Sequence, residues 1–329
     1  METALITGAN GFIGSHLACE LVRRGFMVYG VHRSPKSKNE EYNRFVEEGR
    51  IVTCLGDVSL FDTGKLPRAD YVYHIAGRVS VWGTLDEFLK INLGGTRNFL
   101  KYAKRCNAKC FTYLSSVAVY GFYGYKLLAE DGEKRPFKNP YSLSKLETEN
   151  FVSEYAAENN LPYVIVRPGN VYGEYDYTSS HEVYGHVKEE KMIICGGGRY
   201  ESCWVYVKNL VEAIILTSQS ERARNTDYNV ADSNTSLRDY LTKVALAFNV
   251  KPKFTNFPAP LAKLVAAIVE GTYKLLCIKK APLITRFTVC QNCADYSFST
   301  EKLEAVGYKK LFSEDEGIRR TVEYFNQVF

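Results

Sequence analysis

Tyr141 and Lys145 are four residues apart at the start of a predicted helix, so both side chains face the same way. A phenol is a poor base near neutral pH because its ordinary pKa is about 10, but a neighbouring ammonium favours the phenolate. Ser116 lies 25 residues before Tyr141 and supplies a hydroxyl able to bind the same substrate oxygen. In a chain with 24 tyrosines such a pair also arises by chance, so acid–base catalysis depends on its surroundings.

Three glycines follow the first apolar run and precede a helical pattern. Gly8 permits a tight turn, Gly11 lets a pyrophosphate approach the backbone, and Gly14 lets the helix pack closely on the sheet. The helix that begins there offers free N–H groups to phosphates. Strand, glycine turn and helix in this order predict dinucleotide binding rather than an ordinary turn. The predicted cofactor contacts in this segment are Gly8, Asn10, Gly11, Phe12, Ile13 and Gly14.

The choice of cofactor depends on the end of the second predicted strand. An acidic residue there would accept hydrogen bonds from a ribose 2′-hydroxyl and repel a 2′-phosphate. This chain has Arg33 and Ser34 instead, followed by Lys36 and Lys38. Arg33 can pair with a 2′-phosphate and Ser34 can donate to it. NADP(H) is therefore favoured, and NAD(H) stays open because Arg33 can also stack on adenine.

Apolar runs of strand length alternate with helical patterns through the first half of the chain. This alternation predicts an α/β fold, a Rossmann-type doubly wound parallel sheet with helices on both faces. Past Gly173 the alternation stops. We therefore expect a cofactor-binding domain over residues 1–173 and a smaller substrate lobe of mixed α/β structure over 174–329, packed on the sheet and interleaved with it.

Composition excludes several classes of protein. Apolar residues make up 46% and charged residues 24%, which are ordinary globular values. The net charge of +5 is spread along the chain, which argues against nucleic acid binding.

Nine cysteines show no disulfide framework, and Cys290 and Cys293 form one C-x-x-C pair with no second pair beside it, so no metal site is predicted. With no signal peptide pattern and no apolar stretch of membrane-spanning length, we expect a cytoplasmic protein.

The glycine turn, Ser116 before Val117-Ala118-Val119-Tyr120-Gly121, and the Tyr141/Lys145 pair occur in an order that resembles the extended short-chain dehydrogenases/reductases, nearly end to end. The resemblance implies catalysis by Ser116, Tyr141 and Lys145, with Lys145 also holding a ribose hydroxyl. It implies a structural role for Asn92. Further cofactor contacts are implied or predicted at Asp57, Val58, Ala76, Gly77, Tyr141, Lys145, Pro168, Asn170 and Val171.

Residues 74–83, 204–210, 282–288 and 314–325 resemble the 3β-hydroxysteroid dehydrogenase branch in particular. This resemblance implies an NAD(P)-dependent oxidoreductase that interconverts a secondary alcohol and a ketone on a hydrophobic, sterol-type substrate. A tyrosine-rich stretch over 172–184 also favours an apolar site. The alternatives are a nucleotide-sugar epimerase or dehydratase with tightly bound NAD, and a sensor that binds cofactor without turnover.

Residues 259–280 form an apolar, helix-like stretch that ends in Lys279 and Lys280. The stretch is typical of core, of a lid, or of a helix that contacts a membrane surface. Resemblance to the steroid dehydrogenases implies the last of these, a peripheral membrane association. A homodimer is also open at this level.

Overall fold

The computed structural model describes the whole chain, residues 1–329. Strands and helices alternate through its first half. The strands are β1 (Thr3–Thr7), β2 (Met27–His32), β3 (Ile51–Leu55), β4 (Tyr71–His74), β5 (Cys110–Leu114), β6 (Tyr125–Leu128), β7 (Tyr163–Pro168), β8 (Asn170–Tyr172), β9 (Ile193–Cys195), β10 (Glu201–Tyr206), β11 (Thr226–Val230), β12 (Ser233–Ser236), β13 (Thr255–Phe257) and β14 (Tyr296–Phe298). The helices are α1 (Phe12–Arg23), α2 (Glu40–Glu47), α3 (Leu85–Cys106), α4 (Pro140–Glu158), α5 (Ser180–Lys188), α6 (Val207–Gln219), α7 (Leu237–Ala247), α8 (Ala259–Leu275), α9 (Arg286–Asn292), α10 (Glu301–Ala305) and α11 (Glu314–Val328).

Seven parallel strands form the central sheet in the order β11-β7-β5-β4-β1-β2-β3. Their apolar, β-branched sequences suit a sheet that is covered on both faces. The predicted α/β doubly wound fold is confirmed. Strand β11 comes from beyond residue 173 and forms one edge of this sheet, so the second part of the chain is interleaved with the first.

Helices cover both faces of the central sheet. On one face α1 and α6 bury Leu17 and Ile214, and on the other α3 and α4 bury Phe99 and Val152. The strand order reverses between β1 and β4. From β1 the chain continues to β2 and β3 on one side, and it then crosses to β4 and β5 on the other side. A crevice opens at such a point outside the carboxyl ends of the strands, and it is the usual ligand site of this fold.

The rest of the chain builds a second sheet, in which β10 pairs with β8, β12 and β14, and β6 pairs with β14. Strand β8 begins two residues after β7 ends, so the second sheet starts directly beside the carboxyl edge of the first. This connection brings the substrate-lobe residues to the crevice. None of the helices is both long and apolar enough to cross a membrane.

The stretch after Gly173, where the predicted alternation of strands and helices stops, contains a helix that its sequence pattern does not reveal. Helix α5 forms at Ser180–Lys188 because the Asp176 carboxylate accepts hydrogen bonds from the N–H groups of Thr178, Ser179 and Ser180. The tyrosines of this stretch were expected to favour an apolar substrate site. Tyr172 and Tyr184 instead lie in the core and are at most 2% exposed, so they do not line a cleft.

Candidate functional site

Helix α4 places Tyr141 in its first turn at the crevice. Asn139 caps the helix by accepting a hydrogen bond from the N–H of Ser142 at 2.9 Å, and Pro140 occupies the first helical position. The hydroxyl of Tyr141 lies close enough to the Ser116 side chain for that neighbour to lower the pKa of the phenol. One turn further on, the ammonium of Lys145 donates to the carbonyl oxygen of Leu114 at 2.6 Å.

Ser116 reaches this position because strand β5 ends two residues before it. Its backbone is extended, and its Oγ accepts a hydrogen bond from the N–H of Ala118 at 3.2 Å, which begins a short 3-10 helix over Val117–Tyr120. The structure thus brings Ser116, Tyr141 and Lys145 together, although they come from two separate elements. Their catalytic roles remain predictions.

Burial controls the protonation of the pair. It raises the pKa of the Tyr141 phenol above its ordinary value, while the hydrogen bond with Ser116 acts in the opposite direction. It lowers the pKa of Lys145 from 10.5 to about 8, and the carboxylate of Glu149 acts against this shift. The chain therefore holds Tyr141 as a neutral phenol at neutral pH, the form that can give a proton to a substrate oxygen.

The glycine turn forms an open cradle at the start of α1. Gly8 has φ +71°, and a Cβ on it would lie 3.1 Å from the backbone of Ala76. A Cβ on Gly14 would lie 2.1 Å from the carbonyl oxygen of Gly8, so the helix could not pack as it does. Gly11 precedes α1 without a side-chain cap, which leaves the first helical N–H groups free for an anion. These features fit the pyrophosphate of a dinucleotide.

Asn10 organises the loop after β2. Its side-chain amide donates to the carbonyl oxygen of Ser34 at 2.7 Å and to the Ser34 hydroxyl at 2.8 Å. Arg33 is exposed beside this loop, and its charge helps to lower the pKa of the Asp57 carboxyl, after the hydrogen bonds from Ser59. The predicted residues of the 2′ site therefore lie together, at the end of β2 next to the glycine turn.

Asp57 and Val58 follow β3, on the adenosine side of the crevice. The Asp57 carboxylate accepts hydrogen bonds from the N–H and the hydroxyl of Ser59, at 2.9 and 2.6 Å. Val58 is buried against α3, where a Cβ on Gly95 would lie 2.8 Å from it. Val58 therefore shapes the wall beneath the predicted adenosine site.

Ala76 and Gly77 lie at the other side of the crevice, after β4. A Cβ on Gly77 would lie 3.5 Å from the ammonium nitrogen of Lys145, so this glycine leaves room for the lysine. Asn92 accepts a hydrogen bond from the N–H of Arg78 at 2.7 Å and donates to the hydroxyl of Ser144 at 2.8 Å. Asn92 thus joins the segment after β4 to helix α4, consistent with a structural role.

Pro168, Asn170 and Val171 lie where the two sheets meet. Pro168 ends β7, and Val171 pairs with Val205 in the second sheet. The side chain of Asn170 donates to the hydroxyl of Tyr296 at 2.8 Å and accepts from the amide of Gln291 at 3.0 Å. A residue predicted to contact the cofactor is thus held by two side chains of the substrate lobe.

The substrate side of Tyr141 is aromatic and apolar. Tyr141 and Val81 pack against a cluster that contains Phe122, Phe287 and Tyr296. Ring centroids in this cluster lie 5.2 Å apart for Phe122 and Phe287 and 4.9 Å apart for Phe122 and Tyr296. Side chains of the two parts of the chain therefore form one apolar wall beside the predicted reacting group.

Trp82 connects the cofactor side of this wall to the segment after α8. Its indole N–H donates to the carbonyl oxygen of Ile278 at 2.9 Å, and its ring meets Tyr273 edge to face at 6.0 Å. These two contacts join residues nearly 200 positions apart, across the predicted substrate cleft.

Sequence reasoning missed three functional candidates: the contact of Trp82 with Ile278, the hydrogen bond of Gln291 to Asn170, and the buried pair of Glu149 and Arg167. The first two have no local signal, since each depends on a partner more than 100 residues away in the chain. Glu149 offered the one indication, because a carboxylate four residues after Lys145 lies on the same side of the helix.

Comparison with known proteins agrees with this geometry. A model of the NAD dependent epimerase/dehydratase family matches residues 4–231. The chain is 24% identical to a 2-alkyl-3-oxoalkanoate reductase of Shewanella oneidensis, over 96% of this chain and 84% of the relative. It is 26% identical to the human dTDP-D-glucose 4,6-dehydratase, over 100% of this chain and 91% of the relative.

A UDP-N-acetylglucosamine 4-epimerase from Methanobrevibacter ruminantium has a similar structure. The TM-score is 0.80 at 21% identity, over 100% of this chain and 99% of the other. The likeness in structure extends across both sheets, which supports the fold assignment over the full chain. Because the family model covers more than two thirds of the sequence, the chain belongs to the NAD dependent epimerase/dehydratase family of enzymes, within the extended short-chain dehydrogenases/reductases.

Proposed function

We propose that this enzyme interconverts a secondary alcohol and a ketone with NAD(P), and that Tyr141 exchanges the proton. The observation that carries the proposal is the position of Tyr141 next to Ser116, one helical turn from Lys145, whose ammonium is anchored at the end of β5. This step is shared by simple reductases and by epimerases and dehydratases, which begin by oxidising a sugar hydroxyl.

Each residue has a distinct task in this scheme. Ser116 donates a hydrogen bond to the substrate oxygen, and Tyr141 gives its proton to that oxygen in reduction or takes it in oxidation. Lys145 places a positive charge near the phenol and holds a ribose hydroxyl. The glycine cradle would hold the pyrophosphate of NAD(P). When bound, this cofactor would supply or accept the hydride. Residues 1–173 thus bind the cofactor, and residues 174–329 complete the substrate site.

The proposal includes a preference for NADP(H) over NAD(H). It rests on Arg33 and Ser34, which are exposed at the end of β2 where an acidic residue would select NAD. The comparisons name NAD instead, in the family description and in solved neighbours such as MoeE5 with UDP-glucuronic acid and NAD, at TM-score 0.80 and 21% identity. The charge at Arg33 is the reason to test NADP(H) first.

The substrate that the cleft itself favours is apolar. The groups packed around Tyr141 are Val81, Phe122, Phe287 and Tyr296, none of which carries a charge. A hydrophobic ketone or alcohol would bury apolar surface against this wall. The relatives include a reductase of 2-alkyl-3-oxoalkanoates, but they do not support the narrower, sterol-type substrate.

Nucleotide sugars are the second candidate substrates, and the comparisons favour them over a sterol. The human relative is a dTDP-D-glucose 4,6-dehydratase, and solved neighbours include epimerases of UDP-sugars. A diphosphate would need cationic partners in the substrate lobe. Arg199 and Lys263 are exposed in that part of the chain, so they are two candidate partners for such a diphosphate.

Peripheral membrane contact through residues 259–280 also remains a proposal. Helix α8 exposes Leu261, Leu264 and Ile268 along one face, and Lys279 and Lys280 follow it. An exposed apolar stripe with basic neighbours suits the surface of an anionic bilayer. Sedimentation with phosphatidylserine vesicles tests the contact. The variant K279E/K280E should bind to the vesicles less than the wild-type protein does. Equal recovery of the wild-type protein in the supernatant with and without vesicles would exclude the membrane contact. A homodimer likewise remains a prediction.

Calorimetric titration of the purified protein with NADPH and with NADH measures which cofactor it prefers. Turnover assays with 3-oxo compounds, UDP-sugars and dTDP-glucose then test the substrate class. NADPH preference with reduction of an apolar ketone would support the first candidate. NAD that co-purifies with the protein, with turnover of a nucleotide sugar, would establish the second. Cofactor binding without turnover of any of these substrates would favour the third candidate, a sensor that binds the cofactor without catalysis.

A further inference from the structure

A polar cluster interrupts the apolar wall beside Tyr141. The side-chain Nδ2 of Asn170 donates a hydrogen bond to the hydroxyl of Tyr296 at 2.8 Å, and the Oδ1 of Asn170 accepts one from the Nε2 of Gln291 at 3.0 Å. Tyr296 is 2% exposed, and Asn170 and Gln291 are partly buried. The Asn170 amide therefore has one protein partner at each end. Its second N–H and a second lone pair on Oδ1 stay available for a bound molecule.

The register of the second sheet brings Asn170 and Tyr296 together. Trp204 of β10 pairs with Asn170 on β8, and Ser202 of β10 pairs with Tyr296 on β14. Strand β12 pairs with both of these β10 residues, so β8 and β14 lie end to end along the opposite edge of β10. Positions two apart on a strand point to the same face and lie roughly 7 Å from each other. The tyrosine ring spans this gap, so its hydroxyl reaches the amide.

Gln291 reaches the same place from α9. Phe287 and Gln291 are four residues apart and lie on one side of this helix. The Phe287 ring meets Phe122 edge to face at 5.2 Å, so this side of α9 also forms part of the apolar wall. Glu270 on α8, which is 8% exposed, accepts hydrogen bonds from the backbone N–H of Arg286 at 2.6 Å and from its Nε at 2.8 Å. Helix α9 is thus anchored at its start by α8 and near its end by the hydrogen bond of Gln291.

Asn170 lies at the junction of the two sheets, two residues after Pro168 ends β7. This position is at the carboxyl edge of the central sheet, where the crevice for the cofactor opens. Gln291 belongs to the substrate lobe, 121 positions further along the chain. It is not among the residues for which the sequence predicts a cofactor contact. The hydrogen bond therefore joins the predicted cofactor site to a helix that lies outside the cofactor-binding part of the chain.

We propose that Gln291 is a positioning residue of the cofactor site, which holds the Asn170 amide in one fixed orientation for the cofactor. The inference rests on the proposed function, in which Asn170 contacts NAD(P). A free asparagine amide turns about its last side-chain bond, and that freedom is lost when a ligand binds. Because Gln291 and Tyr296 already fix the amide, little of this entropy cost remains at binding. Residues 174–329 would thus complete the cofactor site as well as the substrate site.

A double-mutant cycle with Asn170 tests the inference. Q291M removes the hydrogen bond and keeps the length of the side chain. The dissociation constant of NADPH or NADH, whichever binds more tightly, should then rise by roughly 3–10-fold in calorimetry. In the N170A background the same change should add less than about twofold, because the residue through which Gln291 acts is gone. The matched control is Q327M on α11, where the glutamine is exposed, and it should bind the cofactor as the wild type does.

Q291E is the second variant, and it does not depend on whether the site tolerates methionine. When ionised, its carboxylate accepts but cannot donate, so Asn170 must turn its Nδ2 toward it and exchange the donor and acceptor offered to the cofactor. Binding should weaken at least as much as in Q291M. Wild-type affinity in Q291E, wild-type affinity in N170A, or an equal effect of Q291M with and without Asn170 would overturn the role of Gln291. Failure of the proposed function would appear separately, as full activity in Y141F, since the cycle measures binding and not turnover.

Discussion

The ammonium of Lys145 donates a hydrogen bond to the carbonyl oxygen of Leu114 over 2.6 Å. Leu114 is the last residue of β5, two positions before Ser116. Helix α4 is therefore tied to the strand end that precedes the predicted serine, and this attachment helps to hold Tyr141 next to Ser116. Lys145 thus contributes both a charge and a fixed distance between the two elements.

Replacing Tyr141 by phenylalanine should abolish turnover and leave cofactor binding intact. In the proposed function the phenol exchanges the proton, and loss of such a group costs about 10²–10⁴-fold in rate. Steady-state kinetics and calorimetry with the preferred cofactor measure the two effects. S116A is the comparison variant, and it should lose less, because water can replace one hydrogen bond to the substrate oxygen. Turnover by Y141F within threefold of wild type would exclude Tyr141 as the acid or base.

Activity should fall as the pH rises through about 8, where the buried Lys145 loses its ammonium. Because the folded pKa lies below the ordinary value of 10.5, the unfolded chain binds more protons between these values, so the contribution of Lys145 to stability rises with pH there. Loss of activity without a fall in melting temperature is therefore expected. In K145R the limb near pH 8 should disappear, since arginine stays protonated; a limb that persists in K145R belongs to another group.

Alanine at Gly14 should disrupt the cofactor cradle. Its Cβ would lie 2.1 Å from the carbonyl oxygen of Gly8, so the turn and α1 must move apart. We expect a loss of about 1–3 kcal/mol in the free energy of unfolding and much weaker binding of NAD(P)H. The control is G271A on α8, where a Cβ meets nothing within 4 Å and φ is helical. That variant should gain roughly 0.5–1 kcal/mol. Equal cofactor affinity in G14A and wild type would argue against a pyrophosphate site here.

Alanine at Arg33 should weaken NADPH selectively. A charge-assisted hydrogen bond to a phosphate contributes about 1.5–3 kcal/mol, so the dissociation constant should rise by roughly 10–100-fold while that of NADH stays unchanged. Lys38 provides the control, since its ammonium lies 5.5 Å from the centre of the Tyr177 ring and K38A should have little effect. An equal response of NADH and NADPH to R33A would remove the argument for NADP(H).

Phenylalanine at Trp82 should weaken the connection across the substrate cleft. W82F keeps an aromatic ring near Tyr273 but loses the hydrogen bond to Ile278, which is worth about 1 kcal/mol. We expect KM to rise by roughly fivefold with little change in kcat, because Trp82 lies beside the cleft and not at the reacting atoms. W82A, which removes both contacts, should show the larger change in KM. A fall in kcat alone would mean that Trp82 acts on the chemical step instead.

Local patterns were sufficient to predict much of the fold. Strands β3 and β5 are apolar runs and α4 begins at the capped Pro140, so these elements follow from local signals. Local patterns did not reveal helix α5 or the burial of the tyrosines near it, because neither has a local signal. Helix α5 contains His, Gly and β-branched residues with no clear period, and Tyr172 and Tyr184 are buried by distant partners such as Tyr240.

The amino-acid sequence by itself determined the α/β class, the glycine cradle and the spacing of Tyr141 and Lys145, because each follows from backbone geometry over a few residues. Only the tertiary structure decided that Ser116 meets Tyr141, that Arg167 holds Glu149 beside Lys145, and that β11 joins the first sheet. These relationships join elements whose approach depends on the packing of the whole sheet and its helices. The free energy of that packing is shared among many distant contacts, and no short segment records it.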